Sequence, residues 1–237
     1  MVEYNFKKKS IEINDTLVVS DLHFGIEDEL NKRGHLIRDV QKELIEELYE
    51  MTKDKNHLII CGDIKNNYDR VSDYEKRDIN NLIKKIKPKI TIIRGNHDTM
   101  LDFVIDKKIH NYYFKNDFLF IHGDKSIKEL SKLPNFKSDY KKAKVIIMGH
   151  EHPSVSFYYN NRNERFKCFL ETEHDSKKLI VLPSFSEAAF GYDFTKENFQ
   201  SSILKNKKSS EIKVYLHEDK TYEFESLKFI INSNRSN

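Results

Sequence analysis

Five short polar motifs in this 237-residue chain hold the residue types that bind divalent cations. They are Asp21-Leu22-His23, Gly62-Asp63, Gly95-Asn96-His97-Asp98, His122-Gly123 and Gly149-His150-Glu151-His152. Carboxylate and imidazole donors without thiolate suit Mn, Fe or Zn. Asp63 offers two oxygens and could bridge two ions, while Asn96 can fill a coordination place with a neutral carbonyl oxygen. In Asp21-x-His23 and His150-x-His152, alternation puts both side chains on the same side of an extended backbone. The glycines let the chain turn sharply and approach an ion or a phosphate. One such motif alone means little, because an isolated histidine usually belongs to the core or surface. Five in one chain point to one site.

Each motif directly follows an apolar run: TLVVS, HLIIC, ITIIR, FLFI and VIIM. Loops beyond the carboxyl ends of strands are where sites form in α/β folds, because the strands are rigid and the loops are free to vary. Residues 10–13 and 16–20 read as a hairpin around Asn14-Asp15. Helical spacing of apolar residues predicts a helix from His35 to Met51 and another from Tyr74 to Ile86, stopped by Pro88. A second hairpin is expected from 109–114 and 117–121. After VIIM the pattern becomes an antiparallel meander: VSFYY, RFKCFL, KLIVL, EIKVYL and TYEFE. Lys205–Ser210 reads as an exposed loop and the closing NSNRSN as a frayed tail. The expected fold is α/β (α+β): two packed mixed sheets flanked by helices.

Composition narrows the class. Charged residues make up 33% of the chain and hydrophobic ones 38%, which is enough for a core and excludes membrane and collagen-like classes. No apolar run approaches the ~18 residues of a membrane span, and the N-terminus lacks a secretory h-region, so a cytoplasmic protein with no membrane partner is expected. Cys61 and Cys168 stand far apart and read as inert core thiols. With 41 basic against 38 acidic residues, the net charge of +3 does not by itself announce a nucleic-acid binder.

The string DLH…GD…GNHD…HG…GHEH strongly resembles the calcineurin-like metallophosphoesterases. DLHFG (21–25), GDIKN (62–66), RGNHD (94–98), GHEHP (149–153) and LPSFSEAAFG (182–191) are similar to one subgroup in particular. So are ENFQSSILK, EIKVYL and TYEF near the end. That subgroup comprises small archaeal and bacterial phosphoesterases related to recombination-repair nuclease subunits and to ligase-associated phosphoesterases. The resemblance spans nearly the whole chain. It implies one domain over 1–237 with a four-layer α/β/β/α sandwich.

It also implies a dinuclear site. Asp21, His23 and His152 would hold one ion and Asn96, His122 and His150 the other, with Asp63 bridging. Mn²⁺ is the expected ion, with Ni, Fe, Zn or Mg as alternatives. A metal-bridging hydroxide would then hydrolyse a nucleotide or nucleic-acid phosphodiester. His97 would act as general acid or phosphoryl donor. Asp98 would either fix its tautomer or cap the loop. Arg94 would touch phosphate or support the loop. The alternatives are a phosphomonoesterase with the same metals, or a catalytically silent scaffold of the same fold. A homodimer and association with DNA-repair proteins remain open as partners.

Substrate contacts are less sharply marked. Lys65 and Asn66 follow Asp63 and could meet a second phosphate, or Lys65 could be a surface lysine. Arg33 lies in a charged segment after the first motif. Phe185, in PSFSE, could stack on a base or sit in the core.

Overall fold

The computed structural model describes residues 4–38, 40–159 and 162–235. Its first sheet consists of β1 (Asn5–Lys7), β2 (Ser10–Ile13), β3 (Thr16–Val19), β4 (His57–Ile60), β5 (Lys89–Ile93) and β6 (Ile109–His110), in that spatial order. Pairing is antiparallel from β1 to β3 and parallel from β3 to β6. The second sheet begins with β7 (Tyr113–Lys115), β8 (Phe118–Phe120) and β9 (Val145–Met148). Next in the chain, β10 (Pro153–Tyr159) and β11 (Arg162–Lys167) leave for a small third sheet. Then β12 (Phe169–His174) and β13 (Lys177–Val181) return to the second. The short β14 (Tyr192–Asp193) joins the third, and β15 (Lys213–His217) and β16 (Thr221–Phe224) complete the second.

Side-chain alternation along the strands builds the layers. Leu17, Val19, Leu58 and Ile60 face outward onto α2 (Gln41–Thr52) and α3 (Asp73–Lys85), meeting Leu44, Leu48, Ile79 and Leu82; α1 (Ile26–Lys32) precedes these two helices. Their neighbours Val18, Ile59, Cys61 and Ile93 face inward against Phe120, Ile147, Phe169 and Ile180 of the second sheet. The far face of that sheet, with Leu119, Ile146, Met148 and Val181, is covered by residues after α4 (Ile127–Leu130). These include Phe136 of α5 (Phe136–Lys142) and Leu227 and Ile230 of α6 (Leu227–Arg235). Two mixed sheets packed face to face with helices outside are therefore the observed architecture. α3 starts cleanly because Ser72 and Glu75 form a reciprocal capping box.

Four expectations about elements change. The second helix begins at Gln41 rather than His35, because the Asn31 side-chain amide pairs with both the N–H (2.7 Å) and the C=O (2.9 Å) of Ile37, and Leu36 is left fully exposed. The run 109–114 is divided: β6 extends the first sheet beside β5, and only β7 pairs with β8. RFKCFL is likewise divided at Cys168, with β11 and β12 in different sheets. Finally, 232–235 belong to α6, where Asn234 bonds the Tyr158 N–H at 3.2 Å and the Ser156 C=O at 2.6 Å; the last two residues of NSNRSN lie outside the described residues. Both cysteines are buried and free, and burial pushes their thiols up.

Candidate metal centre

Five strands, β3, β4, β5, β8 and β9, end at one edge, and the loop after each contributes a donor. Backbone hydrogen bonds lock these loops together. The Asp21 N–H donates to Gly62 O at 3.0 Å, the His23 N–H to Asp63 O at 3.0 Å and the Gly149 N–H to His122 O at 2.9 Å. The donors do not project from extended backbone, as alternation had implied. Asp21, His23, Asp63, His150 and His152 all have positive φ, between 43° and 71°. Left-handed backbone is uncommon for residues other than glycine. It costs on the order of 1–3 kcal/mol per residue where surrounding contacts impose it. Here successive tight turns, rather than a strand pleat, bring Asp21 and His23 to the same side. Gly95 is required for another reason: a Cβ there would lie 2.1 Å from Asp63 Oδ1.

The donor atoms fall into two groups that share Asp63. Asp21, His23, Asp63 and His152 form one and Asp63, His122 and His150 the other, with the donor atoms of each within 4.8 Å of one another. In the first, His152 Nε2 lies 3.1 Å from both Asp21 Oδ1 and His23 Nε2. In the second, His122 Nε2 lies 3.3 Å from Asp63 Oδ2 and 3.0 Å from Asn96 Oδ1. His122 Nδ1 donates to the Cys61 carbonyl at 2.8 Å, which turns Nε2 toward the cluster.

Electrostatics favour a cation. Burial, and then the neighbouring His152, pull His23 down to about 3; burial and then His122 pull His150 down to about 4. Both rings are therefore neutral near pH 7 and offer lone pairs. Asp21 is held at about 2, because His152 and His122 outweigh its burial, and Asp63 is held lower still by His122 despite burial. His122 moves the other way, to about 10, as the Asp63 carboxylate overcomes burial. A metal ligated through His122 Nε2 would displace that proton. The carboxylates, neutral imidazoles and Asn96 oxygen fit divalent metal ions.

The Asp98 carboxylate is not hydrogen-bonded to the His97 ring. Buried, it accepts the backbone N–H groups of Asp63 (2.8 Å), Gly95 (2.9 Å), Ile64 (2.9 Å) and Lys65 (3.3 Å), stapling two donor loops. The His97 ring is instead fixed through Nδ1, which donates to the Asn66 carbonyl. Arg94 supports the same loop, donating to Asp98 O at 2.9 Å and to Asp102 at 2.6 Å.

Of the residues expected to touch substrate, Lys65 is buried and its ammonium donates to the carbonyls of Asn67 and Arg70. Asn66 is also buried, its amide donating to Glu29. Arg33 is tied to Glu29 one turn away. Phe185 lies entirely in the core under the Lys9 ammonium, whose Nζ is 4.6 Å from its ring centroid. None of Lys65, Asn66, Arg33 and Phe185 lines the open cleft of about 450 Å³ beside the cluster. Phe185→Ala is accordingly expected to lower stability by about 3–5 kcal/mol, as for other buried phenylalanines, which urea denaturation would read. A loss under about 1 kcal/mol would contradict its core role.

Two features escaped sequence reasoning. Tyr68 accepts a hydrogen bond from Asn96 Nδ2 at 2.6 Å, and its ring centroid is 3.7 Å from that of His97. Its only sequence signal is an aromatic residue in the polar stretch NNYDR after Gly62-Asp63. Phe190, within LPSFSEAAFG, and Tyr192, just after it, also line the cleft.

A calcineurin-like phosphoesterase superfamily domain matches residues 15–168, the segment that carries all seven donor residues. The chain belongs to that superfamily. Among solved structures, Pseudomonas putida nuclease MPE is 19% identical, with a TM-score of 0.59 over 94% of this chain and 100% of that one. The Aquifex aeolicus protein AQ665, of unknown function, is 18% identical over 58% of this chain and 79% of its own, at a TM-score of 0.41. An archaeal phosphodiesterase is 16% identical over 88% and 98%, at 0.38. No curated protein matches the chain. At 19% identity the likeness to the nuclease concerns the fold alone, while membership in the superfamily points to hydrolase chemistry on phosphoesters. Among the described residues, no helix is long and apolar enough to cross a membrane.

Proposed function

We propose that the chain, as one catalytic domain, is a metal-dependent phosphodiesterase acting on nucleotide or nucleic-acid diesters. It would use two divalent ions, Mn²⁺ first among them. The observation that carries this reading is the sharing of Asp63 by two donor groups, each built from carboxylate and imidazole. Asp21, His23 and His152 would hold one ion and Asn96, His122 and His150 the other. When bound, such ions lower the pKa of a water molecule and neutralise charge growing on phosphoryl oxygens.

The chain's own residues do the rest. Asp98 holds the Asp63 and Gly95 loops at a fixed separation, and Tyr68 orients the Asn96 amide. With Nδ1 engaged by Asn66 O, His97 presents Nε2 to the cleft, 3.9 Å from Asp63 Oδ2, where it can give a proton to the departing oxygen. His97→Ala is therefore expected to lower kcat by about 10²–10⁴-fold while Mn²⁺ binding, measured by calorimetry, stays within threefold. Loss of metal would instead make His97 a ligand.

The direct test compares bis(4-nitrophenyl) phosphate with 4-nitrophenyl phosphate across Mn²⁺, Ni²⁺, Mg²⁺ and Zn²⁺. The diester is expected to be preferred by at least about tenfold in kcat/KM, which is ~1.4 kcal/mol of differential transition-state binding. Preference for the monoester would replace this reading with a phosphomonoesterase. Hydrolysis of neither ester with any of the four ions would favour a silent scaffold.

A further inference from the structure

We propose that the cleft recognises the group beside the scissile phosphate by stacking, with Phe190, Tyr192 and Tyr68 as platforms for an unpaired nucleobase. It would not bind the neighbouring phosphates through cations. This inference rests on the phosphodiesterase reading and narrows its substrate to base-bearing diesters whose bases are free of a duplex.

The first observation is what the cleft offers. Besides donor residues of the cluster, its lining includes three exposed aromatic side chains: Phe190 (66% exposed), Tyr68 (54%) and Tyr192 (37%). Exposed aromatic area beside convergent polar groups marks a ligand site rather than ordinary surface. Aromatic rings offer faces on which any base can stack.

The second is what the cleft withholds. Among the described residues that line it, none is Lys or Arg. Four cations near the donor motifs are engaged in holding loops. Lys65 binds the Asn67 and Arg70 carbonyls, Arg33 binds Glu29, and Arg94 binds Asp98 O and Asp102. Lys167, largely buried, donates to the Ser184 and Ser186 carbonyls. A groove that tracks a polyanion needs lysines or arginines along it; this one has aromatic rings in their place.

The third is rigidity. The Tyr192 N–H donates to His152 O at 3.1 Å, and β14 pairs in parallel with Pro153 and Ser154. Gly191 has φ +70°, and a Cβ there would lie 1.8 Å from His152 O, so the wall lies directly against a donor residue. Arg165 reinforces it, donating to Gly191 O and, at 2.6 Å, to Ser154 Oγ. On the other side, Tyr68 is held through Asn96 Nδ2 and through Thr99, whose hydroxyl donates to its carbonyl. The backbone that carries Phe190 and Tyr192, and the Tyr68 hydroxyl, are thus tied to metal-binding residues, and stacking on these rings would place the adjoining phosphate.

The test measures binding by calorimetry to the Mn²⁺-loaded protein, so it is independent of turnover. The probes are thymidine 5′-monophosphate and deoxyribose 5-phosphate, which differ at C1, where the first carries the base and the second a hydroxyl. Wild type is expected to bind the nucleotide about tenfold more tightly. Phe190→Ala and Tyr192→Ala should each shrink that preference to threefold or less and leave deoxyribose 5-phosphate within twofold, while Phe190→Tyr should keep it. Equal binding of the two probes by wild type, or a preference untouched in both alanine variants, would overturn the proposal. A ten-residue thymidine oligonucleotide adds a second arm. Between 50 and 200 mM salt its affinity should fall less than about threefold, the change expected for roughly one neutralised phosphate. A fall beyond about tenfold would show cationic tracking and refute the cation-free cleft. If diester hydrolysis fails while base preference holds, the functional reading is wrong and the stacking site stands. Hydrolysis without base preference is the reverse case.

Discussion

Asp63→Asn is expected to remove metal-dependent hydrolysis, with kcat/KM falling at least about 10³-fold, while the metal-free fold survives. The carboxylate is the member common to both donor groups, and its Oδ2 lies 3.3 Å from His122 Nε2 and 3.8 Å from His23 Nε2. Asparagine keeps the volume, and its Oδ1 can still accept the His97 N–H that Asp63 Oδ1 now receives at 2.9 Å. What it loses is the charge, and it turns an N–H₂ group toward the place a cation would occupy. The same variant therefore predicts a second, independent readout. A ligand that binds only the native state at a hundredfold excess over its Kd adds about 2.7 kcal/mol. For a chain of this size that is roughly 5–10 °C in Tm. Wild type should show such a rise with Mn²⁺ and reverse it with EDTA, whereas Asp63→Asn should show almost none. A variant that keeps either the hydrolysis or the full thermal shift would remove Asp63 from the centre of the site.

Much of this site can be read in the sequence because strand and loop alternate so sharply there. A short apolar run such as HLIIC, ended by Gly62, reads as a central strand, and the polar residues that follow it then emerge at its carboxyl end. The order of the runs brings five ends to one edge, where Asp21, His23, Asp63, His122, His150 and His152 lie close together and Asn96 Oδ1 lies 3.0 Å from His122 Nε2. Backbone handedness was not legible. Nothing in the identity of Asp21 or His152 announces a positive φ, since the loop partners impose it: Gly62 O on the Asp21 N–H and His152 O against Gly191. Side-chain direction was equally hidden. Phe185 and Phe190 lie five residues apart in one motif, yet one is fully buried beneath Lys9 and the other stands in the cleft. The difference is made by contacts distant in sequence. The Phe185 and Ser186 N–H groups are drawn down onto Ser20 O and Asp21 O, while Gly191 turns the chain back over His152. The lysines misled for a related reason. Lys65 follows Asp63 in the chain, but its ammonium satisfies two loop carbonyls inside the protein.

Asp98 shows most clearly how the loops are held, and Asp98→Ala is the second large effect. Four backbone N–H groups, from Asp63, Ile64, Lys65 and Gly95, converge on its two oxygens, and all are buried with it. Burial, and then the neighbouring Asp63, push this carboxyl up to about 6, yet the N–H donors favour its anion. Hydrogen bonds to a charged group are worth about 1.5–3 kcal/mol each, and a buried donor left without a partner adds its own desolvation cost. Some of these donors would find water in the space left by the side chain, so the expected loss is about 4 kcal/mol rather than the sum. It is to be measured by urea denaturation in EDTA, so that metal binding does not enter. The staple also sets the spacing between Asp63 and the Asn96–His97 loop, so metal affinity in the surviving native protein should fall by about 10–100-fold, as when groups supporting metal ligands are removed. Asp98→Asn separates the two roles of the carboxylate. It preserves the shape and one acceptor but presents an N–H₂ group to backbone donors, so it should fall between wild type and Asp98→Ala in stability. If Asp98→Ala lowers stability by less than about 1 kcal/mol, the loops are held by the strands alone. If it leaves stability and metal binding nearly intact but lowers kcat to the extent expected of His97→Ala, the carboxylate acts on the His97 ring after all.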